Sequence, residues 1–315
     1  MEFNKWIADL ENGDEFEGYY ILKTAQIKTS NSGKPFLAAS IADRSGTIDA
    51  KMWDYGGPFG AQDEGSVIKL RGVVSEYRGT LQLILSRIRP VQEDDRYRLD
   101  ELVPTAPIDA SAGWQELLDM VEQLEDDDYK NICQTLLEQY GARFCSIPGG
   151  KSMHHSFLNG LLMHTLYMAR AAEYLGGLYS EIVDRSLLVA GTILHDVAKC
   201  DEFVTSPLGL VTEYSTKGQL LGHLVMGAQA VAEAARDLGV PEEKSVLLQH
   251  MLLSHHGEPE FGAAVRPACA ESELLSMIDL IDSRMEIYKE TLEETELGGF
   301  SKRVFALDKK IFRHR

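Results

Sequence analysis

The sequence predicts a multidomain α+β chain, with an N-terminal five-stranded β-barrel followed by an all-α domain. Three observations carry this. Residues 15 to 92 break into short β-rich runs, apolar residues from Trp114 onward recur three and four apart, and a charged, then proline-containing stretch separates the two patterns.

The strand runs are "FEGYYILKTAQIKT", "KPFLAASIAD", "GTIDAKMWD", "GSVIKLRGVVSEY" and "TLQLILSRIRPV", punctuated by "SNSGK", "DRSG", "GGPFG" and "YRGT". Five short strands at this spacing suit a small closed or partly open barrel, of which the OB-fold is the commonest five-stranded case. A sandwich is the competing arrangement. "QEDDRYRLDELVPTAPIDASAG" reads as a linker, which sets expected limits of 1–100 for the barrel domain and 101–112 for the linker. Helical spacing then runs through "WQELLDMVEQLEDDDYKNICQTLLEQY", "LLMHTLYMARAAEYL", "DRSLLVAGTILHDVAK", "GHLVMGAQAVAEAARDL", "KSVLLQHMLLSHH" and "ESELLSMIDLIDSRMEIYKETLEE". These place a helical domain at 113–305 and a C-terminal tail at 306–315. The "EDDD" run reads as a solvated helix surface.

At 315 residues and 44% hydrophobic, the chain can bury more than one core. Cys133, Cys145, Cys200 and Cys269 show no paired spacing, so they read as reduced thiols of a cytoplasmic protein. The N-terminus lacks a basic region followed by an apolar one, and no run of about 18 apolar residues occurs, so neither a standard secretion signal nor a membrane span is expected.

The net charge of −18 argues against binding polyanions by bulk electrostatics, so such a partner needs a local basic track or a bound metal. Residues 1–105 hold 13 Lys+Arg against 17 Asp+Glu, leaving 18 against 32 for the rest, so the strand region is the less hostile to phosphates. It interleaves Lys69, Arg71, Arg78, Arg87 and Arg89 with Tyr19, Tyr20, Phe36, Trp53 and Tyr77. Cations for a backbone and flat rings for stacked bases are what single-strand binding requires. The competing reading makes most of those rings barrel core. Lys69, Arg71, Arg78, Phe36 and Trp53 are the candidate contacts.

Eight of the nine histidines fall between residues 154 and 256, and metal binding is the usual cause of such clustering. In "AGTILHDVAKC", His195 and Asp196 end an apolar run where unpartnered ionisable groups are expensive. A divalent cation relieves both. His164 in "LLMHTLYMA", His223 in "LLGHLVMGAQ", His255 and His256 in "LLSHHGEPE" and Asp279 in "SMIDLIDSRM" complete seven potential ligands. Taken singly, His164 reads first as a hydrogen-bonded core histidine, while the apolar neighbours of Asp279 favour it as a buried ligand over an ordinary capping or paired carboxylate. Asp282 lies on the same helix face as Asp279. Seven ligands exceed one site, so two metals bridged by Asp196 fit the count. Lys199, one turn after His195, is placed to hold an anion or to end the helix at the surface. His250 reads as structural.

"HTLYMA", then "LHDVAK", then "IDLIDS" resembles the HD-domain metal-dependent phosphohydrolases, which implies His164, His195, Asp196 and Asp279 as a first metal site. His223 and the "SHHG" pair resemble the extended set of the binuclear members. A closer resemblance covers nearly the whole chain. "NSGKPFLAASIADRSGTIDAKMWD", "GGKSMHHSFLNGLLMHT", "VAGTILHDVAK", "GQLLGHLVMG" and "LLSHHGEPEFGAAVRP" are similar to consecutive blocks of the YhaM-type 3′-to-5′ exoribonucleases. That family implies an OB-fold, a helical HD domain, manganese-type metal dependence and stepwise release of nucleotides from single-stranded RNA and DNA ends. The acidity of this chain, "CDEF" after "HDVAK", and Ile278 and Leu280 flanking the late Asp depart from the pattern without removing a ligand.

The expected reaction is hydrolysis of the 3′-terminal phosphodiester, with Asp196 central and Lys199 adding positive charge. Lys151, His154 and His155 are expected near the substrate, a structural role being the alternative for the two histidines. Iron, cobalt and nickel suit the donors as manganese does. Two other readings remain open: hydrolysis of a cyclic dinucleotide or free nucleotide, which needs no OB module, and a non-catalytic nucleic-acid-binding protein with a structural metal. Oligomeric state is left open, a homo-oligomer included.

Overall fold

The computed structural model of the chain describes residues 2–30, 32–150, 155–206 and 208–315. It divides into two compact units, Met1–Thr105 with Ser206–Leu208, and Ala106–Thr205 with Gly209–Arg315.

The first unit holds β1 (Glu2–Phe3), β2 (Glu15–Thr29), β3 (Pro35–Asp43), β4 (Gly46–Trp53), β5 (Ser66–Tyr77) and β6 (Thr80–Pro90). Strands run in the order β2-β3-β4-β6-β5, and β5 pairs back onto β2, closing a five-stranded barrel. The 15-residue β2 makes closure possible because it serves two neighbours. Glu15–Leu22 pairs with β5 and Ile21–Thr29 with β3, and a register shift between Leu22 and Thr24 bends the strand between them. Alternation sends Phe16, Tyr20, Leu22, Leu37, Ile68 and Leu83 inward. Gly72 follows the Arg71/Gly72 register shift, and a Cβ there would lie 2.8 Å from the Ile84 carbonyl oxygen, so only glycine lets these backbones approach. A short helix, α1 (Leu99–Leu102), ends this unit's regular structure.

The second unit is built on α2 (Ala110–Glu122), α3 (Asp127–Phe144), α4 (Gly160–Leu178), α5 (Arg185–Leu194), α6 (Lys199–Glu202), α7 (Thr216–Leu238), α8 (Glu242–Ser254) and α9 (Ala270–Glu293). Leu162, Leu166, Leu188, Ile193, Leu252 and Leu275 are among the side chains that pack its core. Helix α2 begins inside the stretch expected as linker, because Asp109 caps it by accepting from the Ala112 amide.

Three local features differ from the sequence expectation. The continuous helical run over 114–140 is broken at residues 123–126, where Asp126 accepts from the Asp128 and Tyr129 amides to start α3. Lys244 Nζ reaches both Asp126 and Asp128 at 2.6 Å, so within the "EDDD" run these two form a cap and an ion-pair seat, while Glu125 and Asp127 are exposed as a solvated surface would be. A two-stranded ribbon, β7 (Phe203–Thr205) and β8 (Val211–Tyr214), joins α6 to α7 inside the helical unit and is too short to show a period. The segment expected as a tail folds back, with Val304 and Ser301 amides donating to Lys309 and Ile311 carbonyls at 2.8 Å and Ile311 buried. Among the described residues no helix is long and apolar enough to cross a membrane.

Candidate metal centre

Four histidines are brought to one buried cluster, each with Nδ1 engaged and Nε2 turned inward. His195 and His255 occupy equivalent places. Each directly follows a helix, α5 or α8, whose last carbonyls lack intrahelical partners. His195 Nδ1–H donates to the Thr192 carbonyl at 2.7 Å, and His255 Nδ1–H to the Leu252 carbonyl at 2.8 Å. His164, on α4, donates from Nδ1 to Asp282 at 2.7 Å. His223 donates from Nδ1 to Glu202 at 3.0 Å, and its backbone amide donates to the same carboxylate at 3.0 Å. Gly222 makes this last arrangement possible: its φ of 72° and ψ of 159° break α7 one residue before His223, a conformation that L side chains rarely adopt. Holding Nδ1 in this way orients each ring so that Nε2 faces the position of a metal, which would displace the proton His164 carries there.

The inward atoms fall on two faces of Asp196. On one, Asp196 Oδ2 lies 3.2 Å from His195 Nε2 and 3.7 Å from His164 Nε2, while Asp279 Oδ1 is 3.4 Å from His164 Nε2. On the other, Asp196 Oδ1 lies 3.3 Å from His223 Nε2 and 3.8 Å from His255 Nε2. His223, His255 and His256 offer nitrogens within 4.8 Å of one another, as do His164, His195 and Asp196 with their donor atoms. Asp196 Oδ1, His223 Nε2 and His255 Nε2 are buried with no hydrogen-bond partner among the described residues. Each orphaned polar atom costs about 1–3 kcal/mol. Three facing one point are accounted for together by a divalent cation, so the residues present fit a metal.

The electrostatics agree. Burial opposes the Asp196 charge, yet Lys199 and His195 hold its carboxyl well below the usual range. Burial likewise opposes the charged His164 ring, but the Asp279 and Asp282 carboxylates outweigh it and raise its pKa to about 9. Asp282 is held near 2 despite burial, by His155 and His164. His255 and His256 are pushed down, chiefly by burial, and so are kept as neutral donors.

Lys199 Nζ donates to Asp196 Oδ2 and to the Gly149 carbonyl, both at 2.7 Å, and lines the cavity that opens over the cluster. His155 is buried, with Nε2 2.8 Å from Asp282, so it supports the carboxylate that orients His164. Lys151 and His154 lie outside the described residues. His250 accepts from the Ala268 amide at 3.0 Å, in keeping with a structural role. Glu202 and the orienting role of Asp282 were missed in the sequence. Asp282 had a signal in its three-residue spacing from Asp279, whereas Glu202, inside "CDEF", carries none. Glu202→Ala is expected to weaken metal affinity by about 10- to 100-fold, checked by manganese titration.

On the barrel, the candidate contacts divide. Phe36 and Trp53 are cross-strand neighbours with ring centroids 4.9 Å apart, and Trp53 is half exposed. The Arg78 guanidinium lies 5.2 Å from the exposed Tyr77 ring. Tyr19 and Tyr20 are buried, as the core reading anticipates. Lys69 and Arg71 line a groove of about 390 Å³ with Arg87 and Arg89, each of the first two paired with an acid: Lys69 with Glu17 at 2.9 Å, Arg71 with Glu15 at 2.7 Å.

Residues 161–284 match the HD domain model, and residues 23–91 match the model of an OB-fold nucleic acid binding domain. The chain is 34% identical to the 3'-5' exoribonuclease YhaM of Bacillus licheniformis over 96% of this chain and 95% of that protein, and the same figures hold for the Bacillus subtilis protein of that name. The Listeria innocua protein is 34% identical over 98% of this chain and 97% of its own. An alignment of 34% identity over 96% of the chain, together with the matched OB-fold and HD domain models, shows that the chain belongs to the YhaM 3′-5′ exoribonuclease family.

Proposed function

We propose that this chain is a metal-dependent 3′-to-5′ exonuclease that hydrolyses phosphodiester bonds at the 3′ end of single-stranded RNA, with single-stranded DNA as a further substrate. The observation that carries the chemistry is the two-faced Asp196 carboxylate, with histidine Nε2 atoms converging on each oxygen. The exoribonuclease names of the relatives support the substrate class. His164, His195, Asp196 and Asp279 would hold one divalent ion, and Asp196, His223, His255 and His256 a second. Manganese is the expected species; iron, cobalt and nickel suit the same donors. Divalent ions in such a donor set lower the pKa of water and neutralise phosphate charge.

The protein's own groups have distinct tasks. Thr192, Leu252, Asp282 and Glu202 fix the four rings, so no reorientation is needed on loading. Lys199 spends two of its three donors on Asp196 and Gly149, and keeps one for a phosphate oxygen in the cavity. The Phe36–Trp53 pair offers a stacking platform for bases, with Tyr77 and Arg78 as further barrel contacts. Trp53→Ala is expected to weaken RNA binding by about 1–3 kcal/mol without altering metal content, checked by fluorescence anisotropy in EDTA. The free cysteines fit a reducing, cytoplasmic setting.

End-labelled single-stranded RNA incubated with Mn²⁺ or with EDTA tests the proposal. A ladder of one-nucleotide steps from the 3′ end in Mn²⁺ alone supports it. Intact RNA in both, with cleavage of a cyclic dinucleotide, overturns it.

A further inference from the structure

The cavity over the metal centre, about 530 Å³, has lining residues that the metal chemistry does not use. Phe261, Pro267, Met277 and Leu280 give it an apolar part, and Phe261 is 73% exposed although the ring is large and apolar. Helix α9 supplies Glu273, Ser276, Met277, Asp279, Leu280 and Ser283 to the same cavity, a single face at helical spacing. Glu273 is six residues before Asp279, a rise of about 9 Å along the helix, which is the scale of one nucleotide. Of the described lining residues that can carry positive charge, Lys199 is already held by Asp196, and His164 by Asp279 and Asp282. Glu258, also lining, pairs with Arg266 at 2.8 Å, whereas the Glu273 carboxylate makes no ion pair among the described residues.

These features suit a neutral ligand with a flat ring and hydroxyl donors, next to a group that carries phosphate charge. We infer that this part of the cavity is a subsite for the 3′-terminal nucleoside, in which Phe261 stacks on the base and Glu273 accepts from the free ribose hydroxyls. A phosphate on the 3′ oxygen would bring its charge against the Glu273 carboxylate, so the subsite favours a 3′-hydroxyl end over a 3′-phosphate. Stacking on a phenyl face is indifferent to base identity, so selection falls on the chemistry of the end rather than on sequence. The inference rests on the exonuclease reading and adds to it the group that recognises the terminus.

The test compares kcat and KM in Mn²⁺ for short single-stranded RNAs ending in a 3′-hydroxyl, a 3′-phosphate, or a 3′-terminal ribose without its base. The wild-type protein is expected to favour the hydroxyl over the phosphate end by at least about tenfold. Glu273→Gln should raise KM on the hydroxyl end with kcat little changed, and narrow that preference. Phe261→Ala should raise KM about tenfold on base-bearing ends, leave the baseless end unaffected, and be rescued by Phe261→Trp. Both positions are exposed, so neither change threatens folding. Equal use of hydroxyl and phosphate ends by the wild type, or variants that match it on all three, would overturn the subsite while leaving the exonuclease intact. Failure of the wild type to release nucleotides from the hydroxyl end would sink the exonuclease reading itself, and the subsite with it.

Discussion

Asp196→Ala is expected to abolish release of nucleotides from single-stranded RNA, a loss beyond the roughly 10²–10³-fold of removing one electrostatic donor. The carboxylate faces both halves of the cluster, so in the proposed two-ion site its removal would take a ligand from each ion at once. It also leaves the Lys199 ammonium with the Gly149 carbonyl alone in a buried setting, which is destabilising in its own right. Asp196→Asn keeps the shape and an oxygen for Lys199, and separates the two effects. Both variants should lose turnover, and only the alanine should show a clear fall in melting temperature. Retained turnover in either would contradict the assignment.

The second large effect is on pH. In the metal-free protein the His164 pKa is raised to about 9, so below that pH the ring carries a proton that an ion must displace. Loading the first site therefore releases a proton, and its apparent affinity is expected to fall about tenfold for each pH unit below 9, or about 100-fold between pH 8 and pH 6. His255 and His256 are instead lowered, chiefly by burial, so the second site has less proton to displace. The second site should lose much less affinity over the same interval. Manganese titration calorimetry at pH 6, 7 and 8 checks this, through the separation of two binding phases and through buffer-dependent heats that report the released proton. Two phases that move together with pH would contradict the division of the cluster into unequal sites.

How far the sequence carries these features depends on what each leaves in the residue pattern. The barrel strands are legible because alternation continues over eight or more residues, and the closure of β2 onto β5 follows from a strand long enough for two partners. The candidate ligands are legible for a related reason. His195 and Asp196 interrupt an apolar run, and the ionisable pair marks itself by the cost of burying it. The supporting groups leave no such trace. Thr192 and Leu252 act through carbonyls, which the sequence does not distinguish from any others. Glu202 becomes meaningful only once the β7–β8 ribbon and the break at Gly222 return the chain so that His223 faces it. The barrel cations show the converse. Lys69 and Arg71 look free in a list of residues, but pairing across β2–β5 puts Glu17 and Glu15 beside them, so a strand bound there must compete with these acids.

Metal content per chain after manganese loading and exhaustive gel filtration, measured by inductively coupled plasma mass spectrometry, tests the central claim most directly. The account predicts two ions per wild-type chain, one in a His223→Ala/His255→Ala double variant, and fewer than one in Asp196→Ala. A wild-type chain that retains none, or an Asp196→Ala chain that still retains two, would contradict it.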